Sequence, residues 1–436
     1  MASKISSIKI SSANRLAGKI TLPGDKSISH RAVMLGSIAD GVSEIYGISS
    51  GRDCLATINC LKKLGVKIVK DPEYPSVLRV FGKGIKGLKE PDNVLYAANS
   101  ATTMRLMSGI LAAQPFFSVI NGDISLRERP MKRVIDPLSL MGAEIHGRGN
   151  DSYAPLSIQG KKLKGIRFAM PVPSAQIKST ILLAGLYAEG ETIIDQPQES
   201  RDHTEVMLTQ MGAKIKKDGN CIIISTQTSA FSPFKLTIPG DISSAAYWLI
   251  AAAIHSNASL EILNCGMNPT RTGIIDVLQS MGAKLMIKNQ RLEGNEPIAD
   301  LFIESSLLNA IDIDSEIMPR LIDEIPVIAV AACYARGKTT IIGAGELRVK
   351  ESDRIKTTVR ELKRLGADIE ELPDGMVING GKQLYGTSVK SYADHRLAMS
   401  LAVAGLAAKG ETVIQNAHAA EISYPDFWDQ IRTIST

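Results

Sequence analysis

Cations recur at places a folded chain ordinarily avoids, the first turns of helices. Lys26, Ser27 and Arg31 open one apolar, Ala-rich stretch. Ser100 with Arg105, Ser174 with Gln176 and Lys178, Asp323 with Glu324, and His395 with Arg396 open others. Arg52, Arg129, Arg201, Arg271 and Arg354 stand near the starts of shorter, amphipathic stretches. A helix N-terminus already presents unpaired N–H groups and partial positive charge, so lysine and arginine there are unfavourable for the helix alone. The placement makes sense where a site must hold anions. Any single arginine could equally cap a surface turn or pair with an acid; the repetition in unit after unit is what favours an anion trap. RVKESDR (348–354) is the sharpest cluster, with Lys350, Glu351 and Arg354 directly before a helix. Lys350 and Arg354 are i,i+4 neighbours if the turn is helical, so two cations and a carboxylate would face the same space. An ordinary solvated helix start can show the same pattern.

Other chemistries have less support. His30 in KSISHR and His395 in DHR sit at helix starts beside an arginine. Imidazole titrates near neutrality, so acid–base duty and a structural hydrogen bond stand as equal readings. There is no Ser-His-Asp spacing, GxSxG elbow or GxxxxGK[ST] loop, which weakens hydrolase and P-loop readings. Cys54, Cys60, Cys221, Cys265 and Cys333 are scattered, with no CxxC and no zinc spacing; they read as core or strand fillers, and no metal site is expected. The 436 residues carry a net charge of only +5, from 50 basic and 45 acidic residues, without a Lys/Arg run. Nucleic-acid binding is therefore not expected. Hydrophobic residues at 44% and charged residues at 22% place the chain among ordinary globular proteins rather than disordered ones. MASKISSIKISSANRLAG has no apolar h-region, and the apolar stretch 397–408 is too short to span a bilayer. A cytoplasmic location without membrane association is expected.

The elements that must position these residues repeat along the chain. LKKLGVKI (61–68), LSLMGAEI (138–145), LTQMGAKI (208–215), LQSMGAKL (278–285) and LKRLGADI (362–369) each read as a helix end, a glycine and a strand start. Between them, apolar helices begin near Lys26, Ser100, Ser174, Ser243, Asp323 and Asp394. Their apolar positions run almost all round, which predicts buried helices. Four close alike, as ADGVSEI (39–45), AEGETII (188–194), ARGKTTI (335–341) and AKGETVI (408–414). Six such helices give a period of roughly 73 residues, longer than solenoid repeats. ITLPGDKS (20–27) and LTIPGDIS (236–243) match 216 residues apart, about three units. The chain thus reads as two α/β domains of three units each, crossing between them at two Pro-Gly-Asp segments.

LPGDKSISHR (22–31), NSATTMR (99–105), RPMKRV (129–134), SAQIKS (174–179), RDHTE (201–205), LRVKESDRI (347–355) and DHRLAMS (394–400) resemble, in order, the signature segments of the 5-enolpyruvylshikimate-3-phosphate synthase family. The resemblance implies an α/β (α+β) enolpyruvyl transferase fold with two similar domains. Each would hold three repeated βαβαββ units, with the active site in the cleft between them. It predicts residues 1–23 with 237–436 as one domain and 24–236 as the other. The implied reaction transfers the enolpyruvyl group of phosphoenolpyruvate to the 5-hydroxyl of shikimate 3-phosphate, releasing phosphate through a tetrahedral intermediate. No metal or organic cofactor is implied, the partners are these two small molecules, and a monomer is expected.

Carried over residue by residue, the family pattern sets shikimate 3-phosphate against Lys26, Ser27, Arg31, Ser174, Ala175, Gln176, Arg201, Asp323 and Lys350. Phosphoenolpyruvate falls against Lys26, Ala101, Arg129, Gln176, Arg354 and Arg396. Asp323 is the implied base for the 5-hydroxyl, and Glu351 and Lys26 are the candidates for proton delivery and charge control at the methylene carbon. Two departures mark this chain. Ala101 stands where many members have Gly, and Ile422 in EISYPDF (421–427) stands where many carry Lys. Both resemble the glyphosate-insensitive second class of the family, and glyphosate tolerance is expected. The sister transferase acting on UDP-N-acetylglucosamine is the nearest rival, but AAQPFFSVINGD (112–123) lacks its loop Cys. A non-catalytic phosphoanion binder could discard Asp323 and Glu351, which are present. An RNA 3′-phosphate cyclase would want a basic surface and a nucleotide site, and neither shows.

Overall fold

The computed structural model describes residues 6–74 and 76–435. Their contacts gather into two compact units, one from Met1–Pro23 with Pro239–Thr436 and the other from Gly24–Ile238. Each unit has its own buried apolar core.

The repeating element is visible in the sheets. In the Gly24–Ile238 unit, strand Lys235–Thr237 runs parallel to Val42–Tyr46. The antiparallel hairpin Lys67–Lys70 and Val77–Phe81 completes that sheet. The same order recurs in Leu95–Tyr96, Phe117–Asn121, Tyr153–Gln159 and Glu144–Gly147, and in Arg167–Ala169, Glu191–Asp195, Cys221–Ser225 and Ile215–Asp218. A buried helix leads into the second strand of each sheet, Lys26–Ile38, Ala101–Leu111 and Ala175–Gly185, and the last two fill parallel crossovers, as the pairing of parallel strands demands. A shorter helix then leads into each hairpin. The other unit repeats the pattern around helices Ile242–Ile254, Ile325–Tyr334 and His395–Ala407. Its last sheet has three strands, with N-terminal Ser7–Ser11 lying antiparallel to Glu411–Gln415 where the other sheets carry a hairpin.

Two strands are exchanged. Leu16–Thr21 precedes helix Lys26–Ile38 in the chain but pairs with Ala258–Gly266. Lys235–Thr237 precedes helix Ile242–Ile254 but pairs with Val42–Tyr46. The two Pro-Gly-Asp segments are where the chain leaves one unit for the other.

Local chemistry explains where the helices start. Asp25, Ser100, Ser174, Asp241 and Asp394 are N-caps whose side chains accept a backbone N–H from the first turn. The recurrent glycines end the shorter helices: Gly65, Gly142, Gly212, Gly282 and Gly366 have φ of +83, +93, +91, +85 and +93°, the left-handed region that only glycine enters cheaply. The C-terminus is held by aromatic packing. Trp248 Nε1 donates to Tyr424 Oη at 3.0 Å, and Gln430, itself bonded to that hydroxyl, donates to Thr21 O at 2.8 Å. The five cysteines form no disulfide, and four are buried. Among the described residues no helix is long and apolar enough to cross a membrane.

Buried helices Ala101–Leu111 and Ala175–Gly185 approach so closely that a Cβ on Gly109 would lie 2.3 Å from Thr180 O. Gly109→Ala should therefore destabilise the protein. A steric cost of about 1–3 kcal/mol outweighs a helix-propensity gain of at most about 1 kcal/mol. Urea unfolding measures the difference, and an equal or higher midpoint would mean the helices can separate freely.

Candidate active site

In the Gly24–Ile238 unit the expected residues sit at the N-terminal ends of the buried helices. Lys26 is the first residue of its helix, and its ammonium lies 3.2 Å from Asp53 Oδ2. Arg31, 3% exposed, donates Nε to Thr204 Oγ1 at 2.6 Å and Nη2 to Ser179 Oγ at 2.7 Å. Its Nη1 bonds both Ser27 O and Ser27 Oγ, at 3.0 and 2.7 Å. It thereby ties three helices together and orients the Ser27 hydroxyl, which also lies 3.2 Å from His203 Nδ1. The i,i+4 spacing of Ser27 and Arg31 was a legible signal for this contact.

Gln176 is gripped at both ends of its amide. Arg105 Nη1 donates to its Oε1, and its Nε2 donates to Thr102 Oγ1 at 3.0 Å. Thr102 follows Ala101, a buried residue in the first turn of the helix that Ser100 caps. Arg129 is buried and donates to Asn99 Oδ1 at 2.9 Å, and Asn99 in turn donates to Asp123. Ser174 and Ala175 open the third helix, and half-buried Arg201 precedes helix His203–Gln210. Lys178 is sealed from water, donating to Ser200 O at 2.9 Å and pairing with Glu205 Oε1 at 2.6 Å. Burial pushes the Glu205 carboxyl above the usual range, and Lys178 opposes the shift.

In the other unit, cations and carboxylates interleave. Arg354 Nε and Nη2 bond both oxygens of Asp394 at 2.8 and 3.2 Å, and Nη2 also donates to Glu351 Oε2 at 2.6 Å. Its Nη1 lies 3.5 Å from Asp323 Oδ1, and Arg396 Nη2 lies 3.7 Å from the other Asp323 oxygen. Arg396 Nη1 also lies 3.5 Å from Glu324, which accepts from Ser243 Oγ, and Arg271 donates to the same Ser243 Oγ at 2.7 Å. Burial works against the charge on both Arg354 and Arg396. It is outweighed by Asp394 and Glu351 at the first and by Asp323 foremost at the second, so both guanidiniums are held above the ordinary arginine value. Burial, foremost, pulls the half-buried Lys350 below the usual lysine value; Asp323 opposes this and Arg354 reinforces it. Burial likewise raises Glu324. A carboxylate between two guanidiniums, with a second carboxylate and a depressed lysine alongside, can hold an anion and move a proton.

A family model described as EPSP synthase (3-phosphoshikimate 1-carboxyvinyltransferase) matches residues 10–431. The chain belongs to the EPSP synthase family. A 3-phosphoshikimate 1-carboxyvinyltransferase of Bacillus cereus (strain G9842) is 52% identical over 422 residues, 97% of each chain. One from Herpetosiphon aurantiacus is 48% identical over 427 residues, 98% of each chain. The solved EPSP synthase of Acinetobacter baumannii is 42% identical, covers 98% of each chain and superposes with a TM-score of 0.86. The expected α/β enolpyruvyl transferase fold is thereby supported.

Sequence reasoning gave Asp53, Asp394, Glu324 and Arg271 no role in an EPSP synthase site. All four are buried and paired with the charged or polar residues described above. The signal for Asp394 was its position as an N-cap immediately before a buried histidine and arginine. Ile422 ends the 3-10 turn Ala417–Ile422. His30 takes the structural reading: it is buried, and its Nδ1 lies 2.6 Å from Thr57 Oγ1, which contacts Thr103 at 2.6 Å.

Burial, aided by Lys26 and Arg31, holds the His30 imidazole well below its ordinary value of 6.5. The unfolded chain protonates His30 below that pH while the folded protein does not, so stability falls as the solution is acidified. Between about pH 6.5 and about pH 5.5 this residue should remove at most about 1 kcal/mol. Urea unfolding of the parent and of His30→Gln at the two pH values checks it: the parent should lose more, and identical losses would show that His30 is protonated in the folded state.

Proposed function

We infer that this chain transfers the enolpyruvyl group of phosphoenolpyruvate to the 5-hydroxyl of shikimate 3-phosphate, in the route to aromatic amino acids. Relatives of about half identity over nearly the whole chain carry that activity in their names. The observation that carries the chemistry is the knot of Asp323, Glu351, Arg354, Asp394 and Arg396.

In this reading, Arg354 and Arg396 hold phosphoenolpyruvate with Arg129, Gln176, Lys26 and Ala101. Shikimate 3-phosphate is held by Lys26, Ser27, Ser174, Ala175, Gln176, Arg201, Asp323 and Lys350, with Arg31 orienting Ser27. Asp323 takes the proton of the 5-hydroxyl as its oxygen bonds to C2 of phosphoenolpyruvate. The methylene gains a proton, from Glu351 or through Lys26, and becomes a methyl group. The tetrahedral adduct then returns a methyl proton to the site, the carbon–carbon double bond re-forms, and phosphate leaves with its bridging oxygen as the bond between that oxygen and C2 breaks. Fixed guanidiniums stabilise the charge that develops on the phosphate without having to reorganise. The bidentate Asp394 grip keeps Arg354 in one orientation for this task.

We further propose that the chain belongs to the glyphosate-insensitive class of the family. Ala101 lies buried in the first turn of its helix, beside the Thr102 that holds Gln176. A methyl group there crowds an inhibitor slightly longer than phosphoenolpyruvate, whereas phosphoenolpyruvate itself fits.

Two experiments test these readings. Phosphate release from phosphoenolpyruvate should require shikimate 3-phosphate and should not occur with UDP-N-acetylglucosamine. In the same assay Asp323→Asn and Glu351→Gln should each lower kcat by about 10²-fold or more; parent-rate turnover by either variant removes that residue from acid–base work. Ala101→Gly should bind glyphosate roughly 5- to 150-fold more tightly than the parent, the equivalent of about 1–3 kcal/mol of relieved crowding. Equal inhibition constants at matched phosphoenolpyruvate saturation would clear Ala101 of the effect.

A further inference from the structure

Helix Arg354–Arg364 grips the segment 388–394 at more than one place. Near its start, Arg354 holds both oxygens of Asp394. Seven residues on, and so about 10 Å along the same face, Glu361 reaches the same segment. Its side chain is 2% exposed. It accepts the Lys390 N–H at 2.9 Å through Oε2 and the Tyr392 hydroxyl at 2.7 Å through Oε1. Arg364, on the next turn, donates to Ser388 O at 2.8 Å. The guanidiniums of Arg360 and Arg364 flank Glu361 at 3.8 and 3.6 Å, so the buried carboxylate is not left uncompensated.

What this grip restrains is unusual. Tyr392 and Ala393 are consecutive non-glycine residues with φ of +53 and +58°. Left-handed backbone is costly for L-residues and persists where surrounding contacts over-determine it, commonly beside functional groups. The next residue is Asp394, which caps helix His395–Ala407 through the Arg396 N–H at 2.9 Å and clamps Arg354. Asp394 reaches both duties because the chain turns left-handed just before it.

We propose that Glu361 is a positioning residue for the phosphoenolpyruvate end of the site. It braces the left-handed Tyr392–Ala393 turn that aims Asp394 at Arg354 and sets the start of the Arg396 helix. The inference rests on the assignment of Arg354 and Arg396 to phosphoenolpyruvate. It touches no residue assigned to shikimate 3-phosphate except through those arginines and their partner Asp323.

The test uses the full chain and steady-state kinetics with each substrate varied in turn. Glu361→Ala should lower kcat/KM for phosphoenolpyruvate by about 10- to 100-fold, the scale of a misplaced binding group. KM for shikimate 3-phosphate should stay within about twofold. Adding Ala393→Gly should recover part of the loss, because glycine enters the left-handed region without a brace. Ala393→Gly alone should stay near the parent. An equal rise in both KM values, an unchanged kcat/KM, or no recovery in the double variant overturns the proposal. If Glu361→Ala fails to fold by near-ultraviolet circular dichroism, Tyr392→Phe removes one of the two contacts and should raise the phosphoenolpyruvate KM alone. Hydrogen exchange provides a readout independent of activity. In the Glu361 variant the amides of Ser391, Asp394 and Arg396, all hydrogen-bonded in the parent, should exchange faster while helix Lys26–Ile38 is unchanged. Unaltered exchange there refutes the brace; inactive parent protein with altered exchange refutes the functional assignment and leaves the brace standing.

Discussion

A guanidinium removed from water must be given partners or it will not stay buried. Arg354 is 1% exposed and Arg396 6%, and desolvating an unpaired charge costs several kcal/mol after relaxation. Asp394 answers that cost for Arg354 with two parallel hydrogen bonds, and it does so from the N-cap of the helix that carries Arg396. One carboxylate thus fixes the charge, the orientation and the helix start together. Asp323 and Glu351 then lie beside guanidiniums that cannot move away. The two carboxylates inherit their geometry from the charge pairing.

The other unit solves the same problem differently. The partners named for Arg31, Arg105 and Arg129 are hydroxyl, amide and carbonyl oxygens. Each such oxygen takes an N–H and fixes the direction in which the guanidinium points. Carboxylates stand among the cations of both units, Asp53 beside Lys26 and Glu205 beside Lys178 in one, Asp394 beside Arg354 in the other. Both units, built from one repeated element, thus hold buried cations near helix starts.

That element also explains why the buried cations and their partners cluster. Each buried helix leads into the corresponding strand of its sheet, so the N-terminal turns of successive helices recur at equivalent places in each unit. Strand exchange at the two Pro-Gly-Asp segments means that one unit is assembled from chain on both sides of the other, its strand Leu16–Thr21 pairing with Ala258–Gly266. Close helix packing at Gly109 brings the Thr102 and Arg105 helix against the Gln176 helix. The precise grip on the Gln176 amide depends on that approach.

By itself the sequence determined the repeat, the helix starts and the residue types at them. Caps, glycines and apolar periodicity act over a few residues, and their pattern survives without coordinates. The starts near Lys26, Ser100, Ser174 and Asp394 were readable for that reason, and so were the recurrent glycines after the shorter helices. Partnership was not readable, because it joins residues far apart in the chain: Arg31 with Thr204, Lys178 with Ser200, Arg354 with Asp394. His30 looked as fit for catalysis as for structure until its burial beside Thr57 decided it. No motif or repeat in the sequence singled out Glu361. Only the packing of residues 388–394 against helix Arg354–Arg364 buried its carboxylate and gave it the Lys390 amide and the Tyr392 hydroxyl to hold. Local backbone and capping preferences are written in neighbouring residues, whereas desolvation and charge pairing exist only once distant segments have met.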